Sequence, residues 1–150
     1  MTTVLDSQGI AQTYLDWARD EAKKFAFTPR LATILFKPTA DPASVQYRDL
    51  IGKDAKRVGV GVEAVEVSSE SELKSAIERL NKNESVHGII VLYPLRCKLP
   101  DEDVMDLVSP YKDAEGLHSV NLGYLVKYKI YLDAENQAKC VVPALSLIHI

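Results

Sequence analysis

Two tyrosines and two carboxylates stand where this sequence could do chemistry. Tyr47 closes the stretch Asp41-Pro42-Ala43-Ser44-Val45-Gln46-Tyr47, and Tyr93 sits inside Val91-Leu92-Tyr93-Pro94-Leu95. Asp113 and Glu115 belong to Lys112-Asp113-Ala114-Glu115-Gly116. An aromatic face stacks on a planar ring, and a carboxylate accepts hydrogen bonds from ring N–H and amino groups. Tyr47, Tyr93, Pro94, Asp113 and Glu115 together would therefore suit a planar heterocycle carrying amino groups. Spacing alone leaves another account open, in which the tyrosines are half-buried core residues and Glu115 is a solvated loop acid. No pairing of histidines with acids has metal-ligand spacing, so no metal is expected. His87, just ahead of an apolar run, reads as a hydrogen-bonded structural residue. Cys97 stands between Arg96 and Lys98.

For those segments to meet, a regular series of elements must carry them. Residues 7–25 have helical spacing, with Ile10, Tyr14, Trp17 and Ala18 on one face. The apolar run 31–36 after Pro29 has the character of a buried parallel strand. Asp41 suits an N-cap and Pro42 the first helical position, with the helix running to Val58 and stopping at Gly59. Residues 60–67 alternate, with Val60, Val62 and Ala64 on one side, as a second strand bent where Val65 breaks the rhythm. Ser69 and Glu72 have capping-box spacing. Behind them Leu73, Ala76, Ile77 and Leu80 form one buried helical stripe. Residues 88–92 make the most apolar strand, ended by Pro94, and a short helix spans 101–108.

This alternation predicts an α/β fold, three-layer α/β/α with a mainly parallel sheet. In such sheets ligands sit beyond the carboxyl ends of the strands. Residues 37–47, 93–98 and 112–116 would lie there. After Pro110 the pattern weakens, and Ile130-Tyr131-Leu132 and Cys140-Val141-Val142 would pair as a hairpin around residues 133–136.

Composition narrows the classes further. A chain of 150 residues has room for one domain with a sizeable core. Its 18 basic and 21 acidic side chains leave a net charge of −3, without the basic surplus of a nucleic-acid binder. Two cysteines are too few for a disulfide scaffold. No apolar stretch is long enough for a membrane span. Asp6 and Asp16 precede Arg19, which argues against a secretory or transit peptide. A cytoplasmic protein is expected.

The segments singled out above resemble the amino-terminal catalytic domain of the methylenetetrahydrofolate dehydrogenase/cyclohydrolase family. The resemblance runs through Asp41-Pro42-Ala43-Ser44-Val45-Gln46-Tyr47, Leu80-Asn81, Val86-His87-Gly88-Ile89-Ile90-Val91 and Pro94-Leu95. It continues through Pro110-Tyr111-Lys112-Asp113-Ala114-Glu115-Gly116 and Asn121-Leu122-Gly123-Tyr124-Leu125. It implies a folate pocket between this domain and a dinucleotide-binding domain. There the methylene bridge of 5,10-methylenetetrahydrofolate is oxidised with hydride transfer to NAD or NADP. Most members then hydrolyse the methenyl product. The resemblance also implies homodimers, held largely through the dinucleotide-binding domain.

Departures from the family pattern decide which activity to expect. The bifunctional form resembles Tyr-x-x-x-Lys, with the tyrosine stacking on the folate and the lysine serving hydrolysis. Here Tyr47 is followed four residues later by Ile51. Lys53 is a poor replacement, because on a helix a +6 position lies about 120° from the tyrosine where +4 lies about 40° away. The glutamine that supports the lysine is replaced by Leu92, and the pterin-binding aspartate by Glu115. Hydrolysis needs a positioned acid-base group, which Ile51 and Leu92 are not. Hydride transfer needs mainly orientation of donor and acceptor. A dehydrogenase without cyclohydrolase activity is therefore expected. The Lys112-Asp113-x-Glu115-Gly116 form and Tyr131-Leu132-Asp133-x-Glu135-Asn136 look most like the monofunctional NAD-dependent branch.

No glycine-rich dinucleotide fingerprint follows any strand in this sequence, so the NAD-binding domain is expected to be absent from it. The catalytic domain is expected over residues 1–143. Residues 144–150 read as a non-native tail, since one reverse translation of residues 145–150 looks like a transposase adapter sequence. On these grounds the isolated chain is expected to be inactive. The alternatives are a catalytically inactive folate-binding or partner-binding module and, more remotely, an unrelated flavodoxin-like domain.

Overall fold

The central strand is the most buried run in the chain, and the rest of the molecule is arranged around it. A computed structural model describes the backbone of residues 7–128 and the side chains of residues 7–124. The elements are α1 (Ser7–Ala22), β1 (Arg30–Phe36), α2 (Pro42–Val58), β2 (Gly61–Val67), α3 (Glu70–Lys82), β3 (Gly88–Val91), α4 (Asp101–Met105) and α5 (Ser119–Tyr128). A 3-10 turn, Lys37–Thr39, leads from β1 towards α2.

The strands form a parallel sheet in the order β2-β1-β3. β1 pairs with β2 from Arg30↔Gly61 to Phe36↔Val67, and with β3 from Leu31↔Gly88 to Ile34↔Val91. Successive strand side chains point to opposite faces, and the core divides accordingly. Ala32, Ile34, Phe36, Ile89 and Val91 pack with Leu73, Ala76, Ile77 and Leu80 of α3. Leu35, Ile90 and Leu92 form a second cluster, against which Leu31, Ala40, Val45, Ile51 and Ala114 pack. Helices thus cover both faces, and the fold is a three-layer α/β/α arrangement. Each fully buried Leu or Ile of the α3 stripe contributes about 2–3 kcal/mol by leaving water.

The helix boundaries follow local chemistry. Asp41 caps α2, its Oδ1 accepting the Ser44 N–H at 2.8 Å, with Pro42 in the first turn. α2 stops at Gly59, whose φ of 79° lies in the left-handed region that favours glycine. At α3, Ser69 Oγ accepts the Glu72 N–H at 3.2 Å. The return bond of the expected capping box is displaced by one residue, because Glu72 Oε2 accepts from the Ser68 N–H at 2.8 Å.

Several expectations need correction. α1 ends at Ala22, and its apolar stripe is bare, with Tyr14 67% and Trp17 63% exposed. β2 runs in unbroken register through Val65, so no bend interrupts it. The expected alternation is present. Gly61, Glu63, Val65 and Val67 are the less exposed column, while Val62 and Ala64 face solvent. Glu63 is tolerated in that column because Arg79 of α3 meets it at 3.0 Å. The fourth helix is shorter than expected, and α5 and the 3-10 turn were not foreseen. The hairpin expected over residues 130–142 and the tail at 144–150 lie outside the described residues.

Candidate active site

The site is assembled where β1 and β3 end. β1 passes through the 3-10 turn into α2, which carries Tyr47 and Ile51. β3 passes through Leu92 into a cis Tyr93–Pro94 bond. The third contributor joins the sheet directly. Ile89 and Asp113 form an isolated parallel bridge, with Ile89 N donating to Lys112 O at 2.7 Å and Ala114 N to Ile89 O at 3.3 Å. This bridge sets the carboxylate turn along the free edge of β3.

Asp113 organises that turn. It is 6% exposed, and its carboxylate accepts three hydrogen bonds. Oδ1 takes the Gly116 N–H at 2.9 Å, while Oδ2 takes the His118 N–H at 2.8 Å and the Asn121 side-chain amide at 2.9 Å. Asn121 Nδ2 also donates to Pro110 O at 3.0 Å. Gly116 has a φ of 71°, a left-handed conformation that lets the chain reverse inside the carboxylate's reach. Asp113 was expected among the ligand-facing groups, but these bonds turn its oxygens towards its own turn and the start of α5. The part played by Asn121, a buried amide eight residues on, carries no local sequence signal.

Glu115 is half-buried in the same turn. Burial, with the charge of Asp113 added, pushes its carboxyl up to about 7. Tyr47 is 41% exposed, and burial followed by the Glu115 charge raises its phenol above the ordinary value. The two are thus within electrostatic reach of each other. Tyr93 is placed differently from the flat face expected of it. Its ring packs on the α3-side cluster together with Val65, Cys97 and Leu99. Its buried hydroxyl has no hydrogen-bond partner among the described residues. Burial raises that phenol strongly, and the charges of Asp101, Glu115 and Asp113 add to the effect. Pro94 is exposed beside it.

The remaining wall is apolar. Leu92 is buried at the end of β3, and Ile51 packs against the cluster that contains it, as does Ala114 from the carboxylate turn. Lys53 is exposed and lines a groove with Asp41, Gln46, Asp49 and Leu50, whose floor includes Ala40 and Val45 of the same cluster. The other nearby cations are engaged. Lys112 Nζ donates to Leu80 O at 3.0 Å and Asn83 O at 2.8 Å, satisfying carbonyls at the end of α3. Lys37 and Arg48 meet Glu66 at 3.3 and 2.8 Å. Arg96, with a φ of 50°, reaches Asp41 at 3.4 Å. His87 is structural, its Nδ1 accepting the Arg30 N–H at 3.1 Å and its ring stacked on Phe27. Cys97 Sγ lies 3.6 Å from Leu99 O. Among the described residues no cluster of three His, Cys, Asp or Glu could hold a metal.

This arrangement can stack a ring and accept hydrogen bonds from its N–H edge, on an apolar bed formed by Ile51, Leu92 and Ala114. The chain belongs to the tetrahydrofolate dehydrogenase/cyclohydrolase catalytic-domain family, whose model matches residues 5–115. Its relatives include a bifunctional protein FolD of Desulforamulus reducens, 33% identical over 147 residues, covering 94% of this chain and 51% of the relative. A 5,10-methylenetetrahydrofolate dehydrogenase from the silkworm Bombyx mori superposes with a TM-score of 0.82 at 27% identity, covering 98% of this chain and 49% of that one. The NAD-dependent 5,10-methylenetetrahydrofolate dehydrogenase of Saccharomyces cerevisiae gives 0.79 at 26% identity, with 93% and 46% covered. The chain spans about half the length of the relatives it matches.

Proposed function

We propose that this chain is the folate-binding half of a methylenetetrahydrofolate dehydrogenase, oxidising 5,10-methylenetetrahydrofolate to the methenyl form with NAD as acceptor and without cyclohydrolase activity. Tyr47 stacks on the pterin, Glu115 accepts from its amino and ring N–H groups, and Pro94 walls the pocket. Asp113 holds the turn that presents Glu115. The observation that carries this reading is the apolar patch joining Ile51 and Leu92. Adding water to the methenyl bridge requires proton transfers that this patch cannot perform. Removing hydride leaves a cation delocalised over two nitrogens and asks chiefly for orientation.

NAD would supply the hydride acceptor. The described residues do not form its cradle, since β1 runs into Lys37–Thr39, β2 into the Ser69 cap and β3 into a cis proline, with no glycine-rich turn at any strand end. The dinucleotide would be held by the half of the full-length enzyme that this chain does not span, which would also carry most of a homodimer contact. No described helix is long and apolar enough to cross a membrane. Full-length protein should reduce NAD with 5,10-methylenetetrahydrofolate while hydrolysing methenyltetrahydrofolate no faster than buffer. Hydrolysis above that rate would overturn the Ile51 argument. Folate binding without NAD or NADP reduction would favour a module without chemistry.

A further inference from the structure

We infer that Thr39 is a positioning residue, whose hydroxyl ties the turn entering α2 to the segment after β3 and so fixes the spacing between Tyr47 and Pro94. The inference rests on the folate reading above, in which those two residues meet the ring, and adds what holds them in place.

The geometry lies in residues 94–100, which are bonded to four other parts of the fold. Thr39, the last residue of the 3-10 turn, donates its hydroxyl to the Leu95 carbonyl, 56 positions away. The N–H of the same Leu95 goes the other way, to Asp101 Oδ1 at 3.2 Å, in the first residue of α4. The Lys98 N–H donates to Glu70 Oε1 at 2.7 Å, in the first residue of α3. Leu95 is 1% exposed and packs in the cluster on the α3 face of the sheet. Pro94 is thus followed by a residue whose two backbone polar groups and side chain are all fixed.

These bonds divide by side. Glu70 and Asp101 anchor the segment to α3 and α4, on the face of the sheet opposite the cluster that meets α2. Towards α2 run the Thr39 bond and the ion pair of Arg96 with Asp41 at 3.4 Å. Arg96 is 60% exposed in that pair, and exposed ion pairs contribute little. The Thr39 hydroxyl is half-buried against a buried acceptor residue, so it carries the tie. From Thr39 the chain passes without interruption through the Asp41 cap into α2 and Tyr47.

The demand on this tie is one of orientation. Hydride passes between two carbon atoms held face to face, and a misplacement of about 1 Å can cost about a hundredfold in rate. Without the Thr39 bond the segment keeps its anchors on α3 and α4 but is free to draw away from α2. The ring would still stack on Tyr47, so turnover should suffer more than binding. Thr39 itself takes part in no bond-making step.

The test is steady-state reduction of NAD by full-length protein with 5,10-methylenetetrahydrofolate. Thr39→Val keeps the shape, removes the hydroxyl and should lower kcat about tenfold or more, with KM within about threefold of the parent. Thr39→Ser restores a hydroxyl and should recover kcat to within about threefold. Lys112→Met removes bonds of the same kind at the end of α3 and should leave kcat within about twofold, which separates positioning from loss of stability. Parental kcat in a folded Thr39→Val would overturn this inference and leave the folate reading standing. A parent protein that reduces neither NAD nor NADP would overturn both. Should Thr39→Val fail to fold, nuclear Overhauser contacts between 5-formyltetrahydrofolate and the unsubstituted protein still decide. Ring contacts to both Tyr47 and Pro94 support the proposal, and contacts to Tyr47 without Pro94 sink it.

Discussion

Ile51 of α2 packs against the same apolar cluster that buries Leu92 at the end of β3. The two positions answer each other across a helix–strand interface, so a change at one is felt at the other. A lone Ile51→Lys substitution would set an ammonium against this patch without a hydrogen-bond partner and should cost about 1–3 kcal/mol. Combining it with Leu92→Gln should recover part of that loss. In full-length protein the pair should raise methenyltetrahydrofolate hydrolysis at least about tenfold over the parent, the scale of an added acid-base group. Urea denaturation and loss of the methenyl absorbance measure the two effects.

Lys112 is the cation nearest the carboxylate turn in sequence, but it serves α3. Lys112→Met should leave the carbonyls of Leu80 and Asn83 short of a donor and lower stability by about 1–2 kcal/mol. The Kd for a folate should stay within about twofold of the parent. A tenfold loss of affinity at unchanged stability would show that Lys112 reaches the ligand.

Thr33 is fully buried in β1, and its hydroxyl has no partner among the described residues. Thr33→Val keeps the shape and removes that desolvated group. Stability should rise by about 1 kcal/mol, seen as a higher urea midpoint at unchanged slope.

The Glu115 carboxyl gives stability a pH dependence of defined sign. Its folded value, about 7, lies above the ordinary 4.5, so the native state binds the extra proton. The resulting stabilisation is complete below about pH 4.5 and is lost as pH rises through 7, amounting to at most about 3 kcal/mol. Glu115→Gln should remove it. The parent-minus-variant difference in unfolding free energy should fall between pH 5 and 8, and a flat difference would contradict the assignment.

What could be seen in advance was local. The Asp41 cap, the Gly59 stop and the α3 stripe of Leu73, Ala76, Ile77 and Leu80 each depend on neighbours within one or two helical turns. The buried run of β1 was equally plain, because both of its faces are covered. Which side of β2 faces inward was not legible, since an ion pair from Arg79 holds Glu63 in the inward column against its polarity. The site's apolar wall could be named by resemblance, but the bridge from Ile89 to Asp113 and the bond from Asn121 could not. Those contacts join residues 24 and 8 positions apart, and only the assembled sheet creates them.

That bridge has a bearing on how a ligand would be met. Loops at strand ends commonly sample many shapes and must surrender that freedom on binding. Here Glu115, the carboxylate proposed to meet the ligand, follows a segment laced into the strand ladder, so the position of its backbone is settled at folding. Affinity would then rest less on ordering the protein than on the contacts the ligand makes. Loosening the lacing should slow association more than it alters the pocket's shape.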